Sequence, residues 1–495
     1  MPYHNKRHPN WIVLGVVAVL VSGCAVVGPD YVTPKLPETE VPNQWTSRTD
    51  IPPETEESAE KLAQGGPWWT ELSDSALNQL VTAAFRSSPS LEAAVARLQQ
   101  SRSVYAQAAS AGAASIGGIG SAQRESTDSS GATSNSWFSV NASWEIDLFG
   151  AVRRAKEGAL AREDFQRATL ADARVTLSAD VTDAYLSHRA CQSQLALSQE
   201  DVVSREATAK LTTDSIEAGF TAPYQGIRSS ASVAEAKTQA AETRAQCERI
   251  ENLLTRLTGV IRPTLMQILA EMPTGLDRLP VPKHFSIAIP GQALTQRPDV
   301  RAAERNLAAA SADIGMAEAD RYPRLSLNGT LGYAASGSEG SRLLSFGTWS
   351  FGPSLTLPIF DGGRRKAASK LATSRYEEAL ANFRAMARRA IQEVEDALTR
   401  YAAAHERAEN ARISALKYQQ FFDTVELRYR EGASNLLELE DARRAMLSAQ
   451  KTLLGVQLER LQAWVALNRA TGGAAEYEPG DYSQKNTSNE NRHDG

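Results

Sequence analysis

Three cysteines are the most reactive side chains in this 495-residue chain, and their positions suggest two kinds of chemistry. Cys24 ends the run Val21-Ser22-Gly23-Cys24, whose small residues and terminal thiol make a bacterial lipobox. Just upstream, Lys6 and Arg7 precede an apolar run from Trp11 to Val21 that is too short to span a bilayer and reads as a signal peptide. Cleavage would leave Cys24 as a lipidated N-terminus in an oxidising compartment. Cys191 and Cys247 stand 28 residues before and after Gly219. With Gly219 at the tip of an antiparallel helical hairpin, both thiols lie about 42 Å from that tip. Equal height is what a Cys191–Cys247 disulfide requires, and the alternative is two buried free thiols. Catalysis finds no support: His4 and His8 belong to the signal segment, and His188, His284, His405 and His493 have no metal-ligand spacing. With no nucleophile motif and no phosphate loop, no enzyme activity, cofactor or metal is expected. A net charge of −5 gives no electrostatic reason to expect nucleic acid.

The elements that must position these residues are written twice. Glu217-Ala218-Gly219 with Thr258-Gly259 matches Arg430-Glu431-Gly432 with Thr471-Gly472, both at an offset of 213 residues. Leu148-Phe149-Gly150 similarly matches Ile359-Phe360-Asp361, and Ser88-Pro89 matches Arg297-Pro298. In each copy the apolar period changes from helical to alternating. Phe138, Val140, Ala142, Trp144, Ile146 and Leu148 alternate with polar residues, as do Leu325 to Tyr333 and Trp349 to Ile359. With a weaker strand from Ser115 to Arg124, these make two hairpins, joined by polar loops at Glu125 to Asn135 and Ala334 to Ser345.

Strands of about ten residues with one apolar face fit either an outer-membrane barrel or one face of a soluble sandwich. Four strands cannot close a barrel, so the membrane reading needs several chains, and three copies give twelve strands. Each hairpin leads into a proline-free helical stretch, Ala151 to about Ala218 and Arg364 to about Glu431. Some 68 residues of helix would be about 100 Å long, a length suited to coiled-coil packing in a tube. Upstream, a helix from Asp74 and Ser75 to about Ala113 is expected to bend or divide at Pro89. The class is α+β with internal duplication. The expected map is a signal peptide (1–23), a lipid-anchored extended arm (24–66), a first repeat (67–259), a Pro-bearing connector (260–290), a second repeat (291–473) and a disordered tail (474–495).

The lipobox, the run Val27-Gly28-Pro29-Asp30-Tyr31, the two hairpins and the run Arg297-Pro298-Asp299-Val300-Arg301-Ala302-Ala303-Glu304 together resemble the TolC superfamily, in its NodT/OprM lipoprotein branch. Ala25 after the cysteine resembles lipoproteins sent to the outer membrane. The resemblance implies a homotrimer: a twelve-stranded outer-membrane barrel continuous with a periplasmic helical barrel. It would be the exit duct of a tripartite pump in a Gram-negative bacterium, joined by a periplasmic adaptor to an inner-membrane RND transporter. A type I protein-secretion duct shares the fold, and a structural coiled-coil lipoprotein would explain the helices and anchor but not the alternating strands.

The resemblance also assigns roles at the helical tips. Leu437 and Asp441 match the apolar and acidic gate positions of one family type, and Glu438 with Asp441 matches the acidic rings of another. Three-fold symmetry would turn each side chain into a ring, and the six carboxylates of Glu438 and Asp441 would favour cations. The alternative for the two acids is a solvated helix face. In the first copy Gln225 and Arg228 occupy the equivalent places; Arg228 is either a partner for a neighbouring carboxylate or plain surface charge. Gly219, Phe220, Thr221, Gly432, Ala433 and Ser434 would be the tips that meet the adaptor.

Overall fold

The computed structural model describes residues 26–34, 41–47, 67–127, 131–270, 279–282, 290–338 and 344–473. Cys24, the signal segment, most of the arm and the C-terminal tail lie outside the described residues. After a short 3-10 turn at Trp68–Leu72 come α1 (Ser75–Ser87), α2 (Pro89–Ser110), β1 (Ser115–Thr127), β2 (Gly131–Ile146), α3 (Ala151–Glu217) and α4 (Pro223–Thr258). Then follow α5 (Arg262–Ala270), α6 (Pro290–Gln296), α7 (Pro298–Ala319), β3 (Arg324–Ser338), β4 (Leu344–Thr356), α8 (Arg364–Arg430) and α9 (Leu436–Ala470). The repeat is visible in the lengths: α2 and α7 have 22 residues each, and α3 and α8 have 67 each.

Two compact units cut across this repeat. The first takes residues 1–35, 96–167 and 302–385, and the second takes 36–95, 168–301 and 386–495.

In the first unit the two hairpins join into one antiparallel sheet of order β1-β2-β3-β4, with β1 and β4 as its edges. Its register aligns Val140 with Leu331 and Leu331 with Trp349, so one face collects Phe138, Val140, Trp144, Leu327, Leu331, Tyr333, Trp349, Phe351 and Leu355. The opposite face is a polar ladder, in which Thr330 Oγ1 donates to Asn141 Oδ1 at 3.0 Å and Ser143 Oγ donates to Asn328 Oδ1 at 2.9 Å. The strands run further than the alternation indicated. The Ser, Thr and Gly residues assigned to loops pair across the hairpin as far as Thr127↔Gly131 and Ser336↔Leu344, because ladder pairing satisfies their backbone whatever the side chain.

The Val27-Gly28-Pro29-Asp30-Tyr31 run is a strap bound to this unit. Val27 N–H donates to the Phe149 carbonyl, and Arg154 donates to the Val27 and Gly28 carbonyls and to Asp30 Oδ1. Tyr31 Oη donates to Glu304 Oε1 at 2.5 Å. Gly28 has φ +87°, and a Cβ there would lie 2.4 Å from the Gly315 Cα, so only glycine allows the strap to press this close.

In the second unit, Pro89 divides the expected single helix. Ser88 is extended, and α1 starts at Asp74, whose Oδ1 accepts the Ala76 and Leu77 N–H groups. Asp74 Oδ2 accepts from Tyr185 Oη at 2.6 Å and Arg189 at 3.1 Å, fastening α1 to α3. The connector is not wholly irregular: α5 forms within it, with Pro263 in its first turn, where a missing N–H costs nothing. Arg297, from the second recognition run, donates to the Ala470 carbonyl at 2.9 Å and to Asp299 and Glu393, tying α6, α7, α8 and the end of α9 together. The core consists of small clusters strung along helix pairs, such as Ala411, Ala415, Ala449, Leu453 and Val456. Alanine at these contacts lets the helices approach closely. Among the described residues no helix is long and apolar enough to cross a membrane.

Candidate functional site

Both helical tips fold as the same motif. Gly219 (φ +78°) and Gly432 (φ +76°) end α3 and α8 in the left-handed region. Phe220 N–H then returns to the Ser215 carbonyl at 2.9 Å, and Ala433 N–H to the Arg428 carbonyl at 2.7 Å. The helices that follow begin differently. Pro223 opens α4 behind Ala222, which offers no side-chain cap, whereas Asn435 Oδ1 caps α9 by accepting the Glu438 N–H at 2.9 Å. The first tip is also the more apolar, with Phe220, Tyr224 and Ile227 all exposed.

The first turns of α9 separate into two faces. Leu437, 49% exposed, and Asp441, with 60% of its side chain exposed, point outward together four residues apart. Among the described residues, Asp441 pairs only with the exposed Arg444, at 3.1 Å. Glu438 is less free: its carboxylate accepts from Ser434 Oγ at 2.6 Å and lies 3.5 Å from Arg428, completing a capping arrangement with Asn435. Arg228 on α4 is exposed and pairs with no described residue.

The inner face holds residues the sequence reading passed over. Arg443, 1% exposed, donates to Thr208 Oγ1 at 2.8 Å, to Ser204 Oγ at 3.1 Å and to Glu440. Its guanidinium carbon lies 5.5 Å from the Phe422 ring centre. Glu440 is also 3.4 Å from Arg205 and accepts from Ser232 Oγ, while Arg205 pairs with Asp201 at 3.0 Å. One buried ionic cluster therefore binds α3, α4 and α9 directly behind Leu437 and Asp441. The available signal was the position of Glu440 and Arg443 on the same helical face as Leu436, Leu439 and Met446. A little further along, Thr212 Oγ1 and Tyr429 Oη, 2.9 Å apart, link α3 to α8.

Cys191 and Cys247 join α3 to α4 in a disulfide with a Cα–Cα distance of 5.6 Å. Beside it a cavity of about 510 Å³ is lined by Asp180, Asp183, Arg256, Lys451, Leu454 and neighbouring residues. Burial, reinforced by nearby Asp180, pushes the Asp183 carboxyl up to about 7, and its Oδ1 has no hydrogen-bond partner among the described residues. The sign of the linkage follows. An unfolded Asp ionises near pH 4, so between about pH 4 and 7 only the folded state holds this proton and stability falls as pH rises. Asp183→Asn should remove that slope, raising stability at pH 8 by an amount on the order of 1–3 kcal/mol. Thermal melts of both proteins at pH 5 and pH 8 check this: the gap should narrow at pH 5, and an equal gap at both would contradict it. Among the described residues no cluster could hold a metal ion.

An antiparallel sheet with an apolar face and a polar face, and two 67-residue helices that end at glycine turns, are the elements of an outer-membrane channel chain. The chain belongs to the outer membrane efflux protein family, whose model matches residues 80–260 and 289–473. It is 31% identical over 484 residues to nodulation protein T of Rhizobium leguminosarum bv. viciae, covering 94% of each chain. To the toluene efflux pump outer membrane protein TtgC of Pseudomonas putida it is 30% identical, covering 95% of this chain and 97% of the relative. Its fold matches the solved outer-membrane channel OprN with a TM-score of 0.77 at 29% identity, covering 90% of this chain and 99% of that one.

Proposed function

We propose that this protein is the outer-membrane exit duct of a tripartite, RND-type efflux pump, passively conducting small molecules from a periplasm-spanning assembly to the cell exterior. The observation that carries the reading is the four-stranded sheet with unpaired edges at β1 and β4 and an apolar face fit for lipid. An open edge is not tolerated in hydrocarbon, so the sheet must close with other copies, and three give a twelve-stranded barrel with a polar lumen. The homologous pump components support the same assembly. In it, lipidated Cys24 anchors the chain to the outer membrane while the helices form the periplasmic tunnel. The Gly219-Phe220-Thr221 and Gly432-Ala433-Ser434 tips meet a periplasmic adaptor, and the inner-membrane transporter supplies the energy.

Leu437 and Asp441 close the periplasmic end as an apolar and an acidic ring; Glu438, held by its own helix start, adds charge at the same level. Arg228, exposed and paired with no described residue, meets a carboxylate of the adjoining protomer in this assembly. Such an exposed pair contributes at most about 1 kcal/mol and is released easily on adaptor docking. Asp441→Ala should raise single-channel conductance several-fold and weaken cation selectivity. Unchanged conductance and selectivity in planar bilayers would contradict the gate.

A further inference from the structure

On the polar face of the sheet, the row at its hairpin end breaks the pattern. There Trp137 pairs with Ala334, and Ala334 pairs with Phe346, so an indole and a phenyl ring flank one small residue. Both project from the face that otherwise carries Ser139, Asn141, Ser143, Thr330, Thr348 and Ser350. They are 43% and 55% exposed, so neither is buried as core. Ile119 and Leu344, in the adjacent rows, continue the apolar belt. The lipid-facing side already has its own aromatics in Phe138, Tyr333 and Trp349, so the bilayer does not account for these two. The formal charges on the polar face are Glu125, Glu145 and Arg324, and the arginine is held by Asp320.

We infer that Trp137 and Phe346 form an aromatic constriction near the outer mouth of the assembled pore, which selects for aromatic or apolar organic cations. The inference rests on the duct reading, because that reading turns the polar face inward. Three-fold symmetry then places three indoles at one level and three phenyl rings at a second level, offset by the strand tilt. A lumen twelve strands around is wider than one layer of side chains, so the two tiers narrow it without filling it. Ring faces attract a desolvated cation within about 6 Å of the centroid, and Glu125 and Glu145 on the same face, in no ion pair with a described residue, favour the same sign of charge. Small hydrated ions gain little from such a belt, whereas a flat organic cation can stack on it as it leaves.

The test uses the full-length lipidated protein carrying Asp441→Ala, so that the periplasmic gate does not limit the current. Tetraphenylphosphonium added from the side of the extracellular loops should block this pore. Combining Trp137→Ala with Phe346→Ala should raise the half-blocking concentration about tenfold and the open conductance roughly twofold. Trp137→Phe, which keeps a ring, should retain most of the block and guards against a misfolded double variant. Trp349→Leu on the opposite face should leave both readings unchanged. An intact trimer whose conductance and block ignore Trp137 and Phe346 would overturn the constriction while leaving the duct standing. Absence of current in every variant, the Asp441→Ala parent included, would overturn the duct reading itself and this inference with it.

Discussion

Arg443→Ala should destabilise the protein by about 3–5 kcal/mol, the loss expected when one member of a buried charge cluster is removed and its partners remain. The side chain is 1% exposed and answers Glu440 directly, with Asp201 3.9 Å away. Truncation leaves the buried Glu440 and Asp201 carboxylates sharing one cation, Arg205, opens a cavity against Phe422 and frees Ser204 and Thr208 from their donor. Arg443→Met would restore the volume but not the charge, so it should recover only the packing part. Adding Glu440→Gln to Arg443→Met should recover more, because the cluster then keeps the Arg205–Asp201 pair without an excess acid. Denaturant midpoints of the three variants check the order. Amide exchange in α9 should also accelerate at its first turns, since the cluster holds the helix behind Leu437 and Asp441 in place. Equal midpoints for wild type and Arg443→Ala would show that the cluster contributes nothing to stability.

Replacing both Cys191 and Cys247 by alanine should cost roughly 4 kcal/mol in the oxidised protein, from the loop-closure entropy of a bridge between cysteines 56 residues apart in sequence. The bridged loop contains the whole first tip, so the loss should appear as lower cooperativity of the α3–α4 hairpin as well as a lower midpoint. Reducing agent should bring the wild type to the level of the double variant and leave that variant unchanged. Thiol titration of unreduced, denatured protein is the direct check: finding Cys191 and Cys247 free would contradict the bridge. This effect and that of Arg443 should be nearly additive, because the two sites share no partner residue.

Much of the fold was legible because it rests on strong periodicities. Alternation from Phe138 to Ile146 specified a strand with an apolar face, and the absence of proline between Ala151 and Glu217 permitted a helix of 67 residues. Glycine at 219 and 432 marked both tips, where a positive φ is required. The ends of the strands were not legible. Ser, Thr and Gly between residues 125 and 135 read as loop, and only the ladder, a non-local pairing, shows that they are strand. Helix α5 was hidden by Pro263, which also suits an irregular connector. At the tip, spacing singled out Leu437, Glu438 and Asp441 but could not tell that Glu438 is engaged in capping while Asp441 points outward. Glu440 and Arg443 escaped notice because a charged pair on a helix usually marks solvent. Their burial depends on α3 and α4 arriving from more than 200 residues away in the chain. That Trp137 and Phe346 share the polar face of the sheet needed the register of three strands, which no single segment encodes.

The most direct test of the whole account is single-channel recording of the purified full-length protein in planar bilayers, with the native mass of the same preparation. The account predicts a trimer with a small, cation-selective conductance that increases in Asp441→Ala. A monomer, or a trimer that carries no current either as wild type or as Asp441→Ala, would contradict it.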